Sequence, residues 1–264
     1  MRIIDAHCHI FPDKIALKAA KSIGKFYDTD MYSAASAQAL LASGAQIDTD
    51  LYMVSSAATT PDQVCAINDF IAGQCRQHAE FFGLAAMHYL FPDVEEELDR
   101  AMELGLHGVK FHNDFQNYDI DEPKAIPMYK AIAKRGLPVL FHMGDAVRDH
   151  TTAIRLTNVM RQVPDLKAIA AHFGGYMAWQ QVMDLELTEN LRLDTSSTLP
   201  IISKDEALRL LEHFGIERFF FGTDFPMWDP QKELARFHAL GLSAEEEELI
   251  LHRNFESFFP ECTK

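Results

Sequence analysis

Two histidines separated by one residue, His7 and His9, stand near the start of the chain. If they lie on a β-strand, their side chains point to the same face, because successive side chains of a strand alternate between faces. Two imidazoles on one face can bind the same metal ion. Cys8, between them, then points to the opposite face, and we expect it to pack against a neighbouring helix.

Three further apolar runs end in side chains that can bind metal or move a proton. Residues 139–142 end in His142, residues 168–172 end in His172, and residues 219–224 end in Asp224. A single histidine after a buried strand is more often a core residue than a ligand. Three such runs together with the His-x-His pattern favour one shared site, and barrel enzymes place such sites at the C-terminal ends of their strands.

The rest of the chain indicates repeated βα units, because short apolar runs alternate with longer amphipathic stretches. Eight strands are predicted, near residues 3–7, 50–54, 82–88, 108–112, 139–142, 167–172, 191–194 and 219–223. Helices are predicted over residues 61–78, 93–104, 124–134, 151–162, 203–213 and 243–258. The last of these begins with the Ser-x-x-Glu pattern of a capping box.

Eight strands with intervening helices fit either a closed barrel or an open doubly wound sheet. Polar residues at nearly every strand end favour the barrel, since an open sheet concentrates its chemistry at one topological switch point. The length of 264 residues also suits one such barrel, which typically needs about 250. We therefore predict an α/β fold, a (β/α)8 TIM barrel, as a single domain over residues 1–264.

Composition excludes several classes of partner. The net charge of −15 repels nucleic acid and anionic lipid, and no basic run opposes this repulsion locally. No apolar run approaches the roughly 20 residues that span a bilayer. The first residues lack the pattern of a secretory signal, and the four cysteines form no close pair, so we expect a cytoplasmic protein with reduced thiols.

Taken together, the motifs resemble the amidohydrolase superfamily. The resemblance is greatest to its amidohydrolase-related group, which includes 2-amino-3-carboxymuconate-semialdehyde decarboxylase and resorcylate-type decarboxylases. It extends over nearly the whole chain and implies a distorted (β/α)8 barrel. The motifs that carry it are IDAHCHIFP at 4–12, GVKFH at 108–112, LFHMG at 140–144, AHFGG at 171–175, LDTSS at 193–197 and FGTDFP at 221–226.

The resemblance implies one divalent ion, bound by His7, His9, His142 and Asp224. It makes His172 the catalytic acid/base or substrate-polarising residue. A nitrogen-rich set with one carboxylate suits a catalytic Zn²⁺, which we take as the expected ion. Asp224 is then both ligand and acceptor of a proton from bound water.

Three further residues are predicted to contact a small-molecule substrate. Lys110 is carboxylated between two metals in binuclear relatives, but the motif around it is typical of mononuclear ones, so we interpret it as a substrate contact. His112 shares its strand face and is a second candidate. Arg148 can hold a carboxylate in bidentate fashion, with a surface ion pair to Asp145 or Asp149 as the alternative.

These residues predict an enzyme, but they do not select one reaction. The first hypothesis is hydrolysis of a small lactone, amide or other cyclic or carboxylated compound by metal-activated water. The alternative is a metal-dependent decarboxylase with the same ligands, and a second alternative is a non-catalytic metal-binding barrel. A homodimer or larger assembly is expected, from the resemblance and from the aromatic residues Phe255, Phe258 and Phe259.

Overall fold

The computed structural model describes residues 1–263, and these form two compact units. The first unit contains Met1–Val54, His78–Phe82 and the described part of Asp194–Lys264. The second contains Ser55–Gln77 and Gly83–Leu193. A single domain over residues 1–264 stays a prediction.

Short strands alternate with helices along the described chain. The strands are β1 (Ile4–His9), β2 (Leu51–Ser55), β3 (Phe81–Gly83), β4 (Ala85–Ala86), β5 (Val109–Phe111), β6 (Val139–Phe141), β7 (Ala168–Ala170), β8 (Leu191–Asp194) and β9 (Phe219–Phe220). The helices are α1 (Asp13–Tyr27), α2 (Ala37–Gly44), α3 (Val64–Gln77), α4 (Val94–Glu103), α5 (Asn113–Gln116), α6 (Ile126–Lys134), α7 (Ala153–Gln162), α8 (Lys204–Phe214), α9 (Pro230–His238), α10 (Ala244–Glu248) and α11 (Asn254–Phe258).

In the first unit, strand β1 has neighbours on both sides. One side belongs to the sheet order β1-β2-β3. On the other side, the Ala6 amide donates to Phe221 O at 2.8 Å and the His9 amide donates to Phe225 O at 2.7 Å. Since all residues of β1 except His9 are buried, this strand is fixed by backbone hydrogen bonds and by packing on both faces.

The C-terminal aromatic residues belong to the core of the same unit. The ring of Phe255 lies 5.6 Å from Phe82, 5.5 Å from Phe220 and 4.6 Å from Phe259, measured between centroids. Phe255 and Phe259 are each 1 % exposed. These two rings therefore cover the interior of their own unit and give no support to the predicted dimer.

In the second unit, β4 to β8 follow one another in a parallel sheet. The register places Phe111 beside Phe141 and Phe141 beside Ala170. Because β5, β6 and β7 end level with one another, the residues that follow them meet at one edge of the sheet. The His142 amide donates to Phe111 O at 3.1 Å, which continues the ladder one residue past the strand end.

Most predicted elements are present, with two differences. The strand predicted over 82–88 is two short strands, β3 and β4. The helix predicted over 243–258 begins with the expected capping box of Ser243 and Glu246, and then widens into a π-helical turn at Leu249–Arg253 between α10 and α11. Among the described residues, no helix is long and apolar enough to cross a membrane.

Candidate metal centre

His7, His9 and Asp224 bring three ligand atoms together in the first unit. The Nε2 atoms of His7 and His9 lie 3.2 Å apart. Asp224 Oδ1 lies 3.3 Å from His9 Nε2 and 3.7 Å from His7 Nε2. The strand alternation predicted from the sequence accounts for the two histidines, since Cys8 between them is fully buried on the other face.

Hydrogen-bond partners at Nδ1 fix the tautomer of His7. Its Nδ1 lies 2.8 Å from Asp194 Oδ2 and 3.0 Å from Ser196 Oγ. A carboxylate accepts hydrogen bonds, so Nδ1 carries the proton and Nε2 presents its lone pair toward His9. This carboxylate–histidine arrangement is the one that orients metal-binding imidazoles in many metal sites.

The three atoms fit a tetrahedral divalent ion. Zn²⁺ binds histidine nitrogen and carboxylate oxygen at close to 2.0–2.2 Å, so the edges of a zinc tetrahedron measure about 3.3–3.6 Å. The observed edges of 3.2, 3.3 and 3.7 Å match this figure. His7 Nε2 carries no proton and lies 3.2 Å from His9 Nε2, so a proton or a cation is needed between the two nitrogens. The residues present therefore suit the metal that the motifs imply.

His142 lies in the second unit, where its ring is held from three sides. It stacks on His112 with 3.9 Å between centroids and an angle of 10°, and His112 stacks in turn on Phe115. Its Nε2 lies 2.9 Å from Gly144 O and therefore donates to that carbonyl. The atom left with a lone pair is Nδ1, which is the ligand atom that His142 can offer.

His172 is buried beside His142. Its Nε2 lies 3.0 Å from His142 Nδ1, and its backbone φ of 61° lies in the left-handed region. Such a conformation is uncommon for a residue other than glycine and persists where the surroundings impose it. One such restraint is the Trp179 indole, which donates to His172 O at 3.0 Å.

The glycines after these histidines allow two loops to approach closely at the backbone. A Cβ on Gly144 would lie 2.5 Å from the backbone of both Gly175 and Tyr176, and Gly144 has a φ of +79°. The Tyr176 amide donates to Met143 O at 2.7 Å. The loops after β6 and β7 are thus joined backbone to backbone, and at this position the close approach is made by the chain itself.

The predicted substrate contacts have partners of their own. Lys110 is fully buried on β5. His112 is held in the stack between Phe115 and His142. Arg148 Nη1 lies 3.2 Å from Asp145 Oδ2, which is the ion pair that the sequence left open as an alternative.

Burial perturbs two carboxyl groups near these residues. Desolvation raises the pKa of Asp5 to about 6, against the lowering effect of hydrogen bonds from the Thr223 hydroxyl and amide. Desolvation likewise raises the pKa of Asp114 to about 6, although Thr151 donates to its Oδ2. Asp114 Oδ2 lies 3.7 Å from His142 Nε2. Each carboxyl therefore gains a proton more easily than an ordinary aspartate.

Sequence reasoning missed several supporting residues. Asp194, Ser196 and Ser197 belong to the LDTSS motif, but no role was predicted for them. Trp228 was not singled out, although its indole nitrogen lies 2.8 Å from Ser197 Oγ. The available signal was that Asp194 follows a buried strand, as the predicted ligands do.

Comparison with solved structures confirms the predicted fold class. A protein from Bordetella bronchiseptica described as an uncharacterised TIM-barrel protein aligns with a TM-score of 0.78 at 15 % identity, covering 100 % of both chains. The 2,6-dihydroxybenzoate decarboxylase from Rhizobium aligns with a TM-score of 0.72 at 17 % identity, covering 99 % of both chains. The fold is the (β/α)8 TIM barrel expected from the alternating pattern.

A third structure with this fold, from Pseudomonas putida, is described as a candidate 2-pyrone-4,6-dicarboxylic acid hydrolase. It aligns with a TM-score of 0.72 at 17 % identity, covering 98 % of this chain and 97 % of the other. The model of the family described as amidohydrolase matches residues 4–260. That match includes every motif on which the resemblance rests, and the chain therefore belongs to the amidohydrolase family.

Proposed function

We propose that this enzyme is a metal-dependent hydrolase that opens a lactone or amide bond in a small cyclic or carboxylated molecule. The proposed ligands are His7, His9, His142 and Asp224, with Zn²⁺ as the ion. The observation that carries the proposal is the triangle of His7 Nε2, His9 Nε2 and Asp224 Oδ1, whose edges match those of a zinc tetrahedron.

A bound divalent ion would supply a Lewis acid and a water with a pKa near 7. His7 is prepared for ligation because Asp194 fixes its tautomer. His142 is prepared because Gly144 O accepts its Nε2 proton and leaves Nδ1 free of hydrogen. Asp224 offers Oδ1 beside His7 and His9 and is the proposed acceptor of a proton.

His172 is the proposed acid/base. Its Nε2 lies beside the ligand atom of His142, and the ring is buried, so a proton on Nε2 is shielded from bulk water. Imidazole titrates near neutral pH and can donate a proton to a leaving group. Lys110, His112 and Arg148 remain the proposed substrate contacts.

The test measures turnover on lactones and cyclic amides with protein stripped of metal and then reloaded with Zn²⁺. We expect ring opening that needs the metal and that disappears in a variant lacking His7 and His9. Metal-independent turnover at the parent rate would reject the assignment of the reaction to this site.

Decarboxylation is the second candidate, and one contact favours it. Asp224 Oδ2 already accepts a hydrogen bond from the Ser197 hydroxyl, so it is less available as the base that hydrolysis requires. A decarboxylase needs a residue that protonates carbon, and His172 can supply that proton. The decarboxylase from Rhizobium shows that this chemistry occurs on the same fold.

Carboxylated phenols distinguish the two reactions. Release of carbon dioxide from them, without ring opening of any lactone, would support decarboxylation. Incorporation of oxygen from ¹⁸O-labelled water into the organic product would support hydrolysis, because decarboxylation adds no water oxygen to the organic product.

A further inference from the structure

The two oxygens of Asp224 have different surroundings. Oδ1 faces His7 and His9 at 3.7 and 3.3 Å. Oδ2 accepts a hydrogen bond from the Ser197 hydroxyl. The side chain is 10 % exposed, so bulk water contributes little to its orientation. Oδ1 therefore faces the two histidines, and Oδ2 is held by the Ser197 hydroxyl.

The direction of the hydrogen bond at Ser197 is fixed by a third residue. Trp228 Nε1 lies 2.8 Å from Ser197 Oγ, and an indole nitrogen can only donate. Ser197 Oγ therefore accepts from Trp228, and its single proton is directed to the carboxylate, which can only accept when ionised. The sulfur of Met227, 3.5 Å from Ser197 Oγ, is a much weaker acceptor than the carboxylate. The two hydrogen bonds thus run in one direction, with Trp228 donating to Ser197 and Ser197 donating to Asp224.

Both residues that make the central contact have unusual backbones. Ser197 has a φ of 50° and Asp224 a φ of 56°, in the left-handed region that residues with side chains rarely adopt. Ser197 is 1 % exposed. Two such conformations facing each other across a buried hydrogen bond indicate that the surrounding structure determines this contact.

We infer that Ser197 and Trp228 are positioning residues that hold the Asp224 carboxylate so that Oδ1 alone faces His7 and His9. This inference rests on the proposed metal site. Without the Ser197 hydroxyl, the carboxylate can rotate about its last bond and present both oxygens to the ion. Outer hydrogen-bond partners of metal ligands typically contribute 10–100-fold to metal affinity.

The experiment uses Co²⁺ as the probe and measures its Kd and visible absorption with the full chain. In Ser197→Ala we expect the Kd to rise by about 10–100-fold. We also expect weaker Co²⁺ absorption, because a carboxylate that binds through both oxygens raises the coordination number. Trp228→Phe keeps the ring but removes the N–H donor, and it should shift both readouts in the same direction by a smaller amount.

The double variant tests whether the two residues act in series. If Trp228 acts through Ser197, adding Trp228→Phe to Ser197→Ala should change the Kd no further, since the two effects are coupled. Ser43→Ala is the matched control. Ser43 is also buried, and its hydroxyl donates to Ala39 O within helix α2. We expect parent-like Co²⁺ affinity and absorption in this control.

Two outcomes are distinguishable. A folded Ser197→Ala protein with the Kd and absorption of the parent would overturn the inference about Ser197 and Trp228 and leave the metal site intact. A parent protein that binds no Co²⁺ would overturn the metal site and the inference together. If Ser197→Ala does not fold, Trp228→Phe tests the inference instead. Unchanged Kd and absorption in that variant would overturn the positioning role of Trp228 and Ser197.

Discussion

His142 Nδ1 lies 3.0 Å from His172 Nε2, and both imidazoles are buried. Because His142 donates its other nitrogen to Gly144 O, its Nδ1 has no hydrogen and faces His172 as an acceptor. In the metal-free protein, His172 Nε2 therefore carries the proton that this contact requires. The same proton is the one that the proposed acid would deliver.

Replacing His172 by Asn should lower kcat while retaining the fold and the metal. General acid–base catalysis contributes about 10²–10⁴-fold, so kcat should fall by at least the lower part of that range. Melting temperature, metal content and kcat are measured on one preparation. Metal content that falls in step with kcat would make His172 a ligand, and a parent-like kcat would remove it from the mechanism.

The double variant His7→Ala, His9→Ala should lose the divalent ion, because two of the three adjacent ligand atoms disappear. Elemental analysis after dialysis against Zn²⁺ provides the measurement. Cys8→Ser is a suitable comparison, since Cys8 is buried on the opposite face of the same strand. Equal metal in the double variant and the parent would refute the assignment of both histidines.

Glu233 should make the protein less stable as the pH rises. It is buried in α9, and desolvation raises the pKa of its carboxyl from 4.5 to about 8, although Arg236 lowers it. Between these values the native state holds a proton that the unfolded state has lost, so the free energy of unfolding decreases with pH. Glu233→Gln should remove this decrease, which amounts to roughly 3–5 kcal/mol over the window.

Urea unfolding at several pH values between these limits measures the slope. Glu206→Gln is the matched control, because Glu206 also pairs with an arginine three residues later but lies on a more exposed helix face. The hydrogen bond from Arg209 lowers the pKa of Glu206. Glu206 is therefore ionised in both the folded and the unfolded state over this pH window. Replacing it by Gln should leave the decrease in the free energy of unfolding with pH unchanged. A parent and a Glu233→Gln protein with parallel pH dependence would show that Glu233 is ionised throughout.

Phe255→Ala should destabilise the fold without changing the mass of the assembly. Replacing a fully buried phenylalanine by alanine typically costs about 3–5 kcal/mol, and this ring contacts three other aromatic residues of its own unit. Light scattering checks the mass, and we propose a homodimer for parent and variant alike. A variant that dissociates with an unchanged melting temperature would place the ring in a subunit interface.

The local pattern of the sequence predicted much of the fold. The helix over 203–213 is α8 at Lys204–Phe214 and that over 93–104 is α4 at Val94–Glu103, because both have a clear apolar face and punctuated ends. The division of the strand over 82–88 was not predicted, because residues 82–87 are apolar or glycine and such a run does not indicate where pairing stops. The π-helical turn at Leu249–Arg253 likewise has no simple sequence signal.

The site was predicted less completely than the fold. Strand alternation places His7 and His9 on one face, and this follows from spacing alone. The contacts of Asp194 with His7 and of Ser197 with Asp224 join residues 187 and 27 positions apart. Such partners depend on which strands become neighbours and on the direction of each hydroxyl, neither of which spacing determines.

Strand β1 also sets an order of events during synthesis. Its Ala6 and His9 amides bond to Phe221 and Phe225, so the ribosome must make most of the chain before this strand has its second neighbour. Asp224, which completes the triangle, emerges equally late. Binding at a site that forms only on folding contributes to the folding free energy itself. A nascent chain released before Asp224 would therefore present two histidines but no complete triangle, so an ion bound at the proposed site would be captured only late in translation.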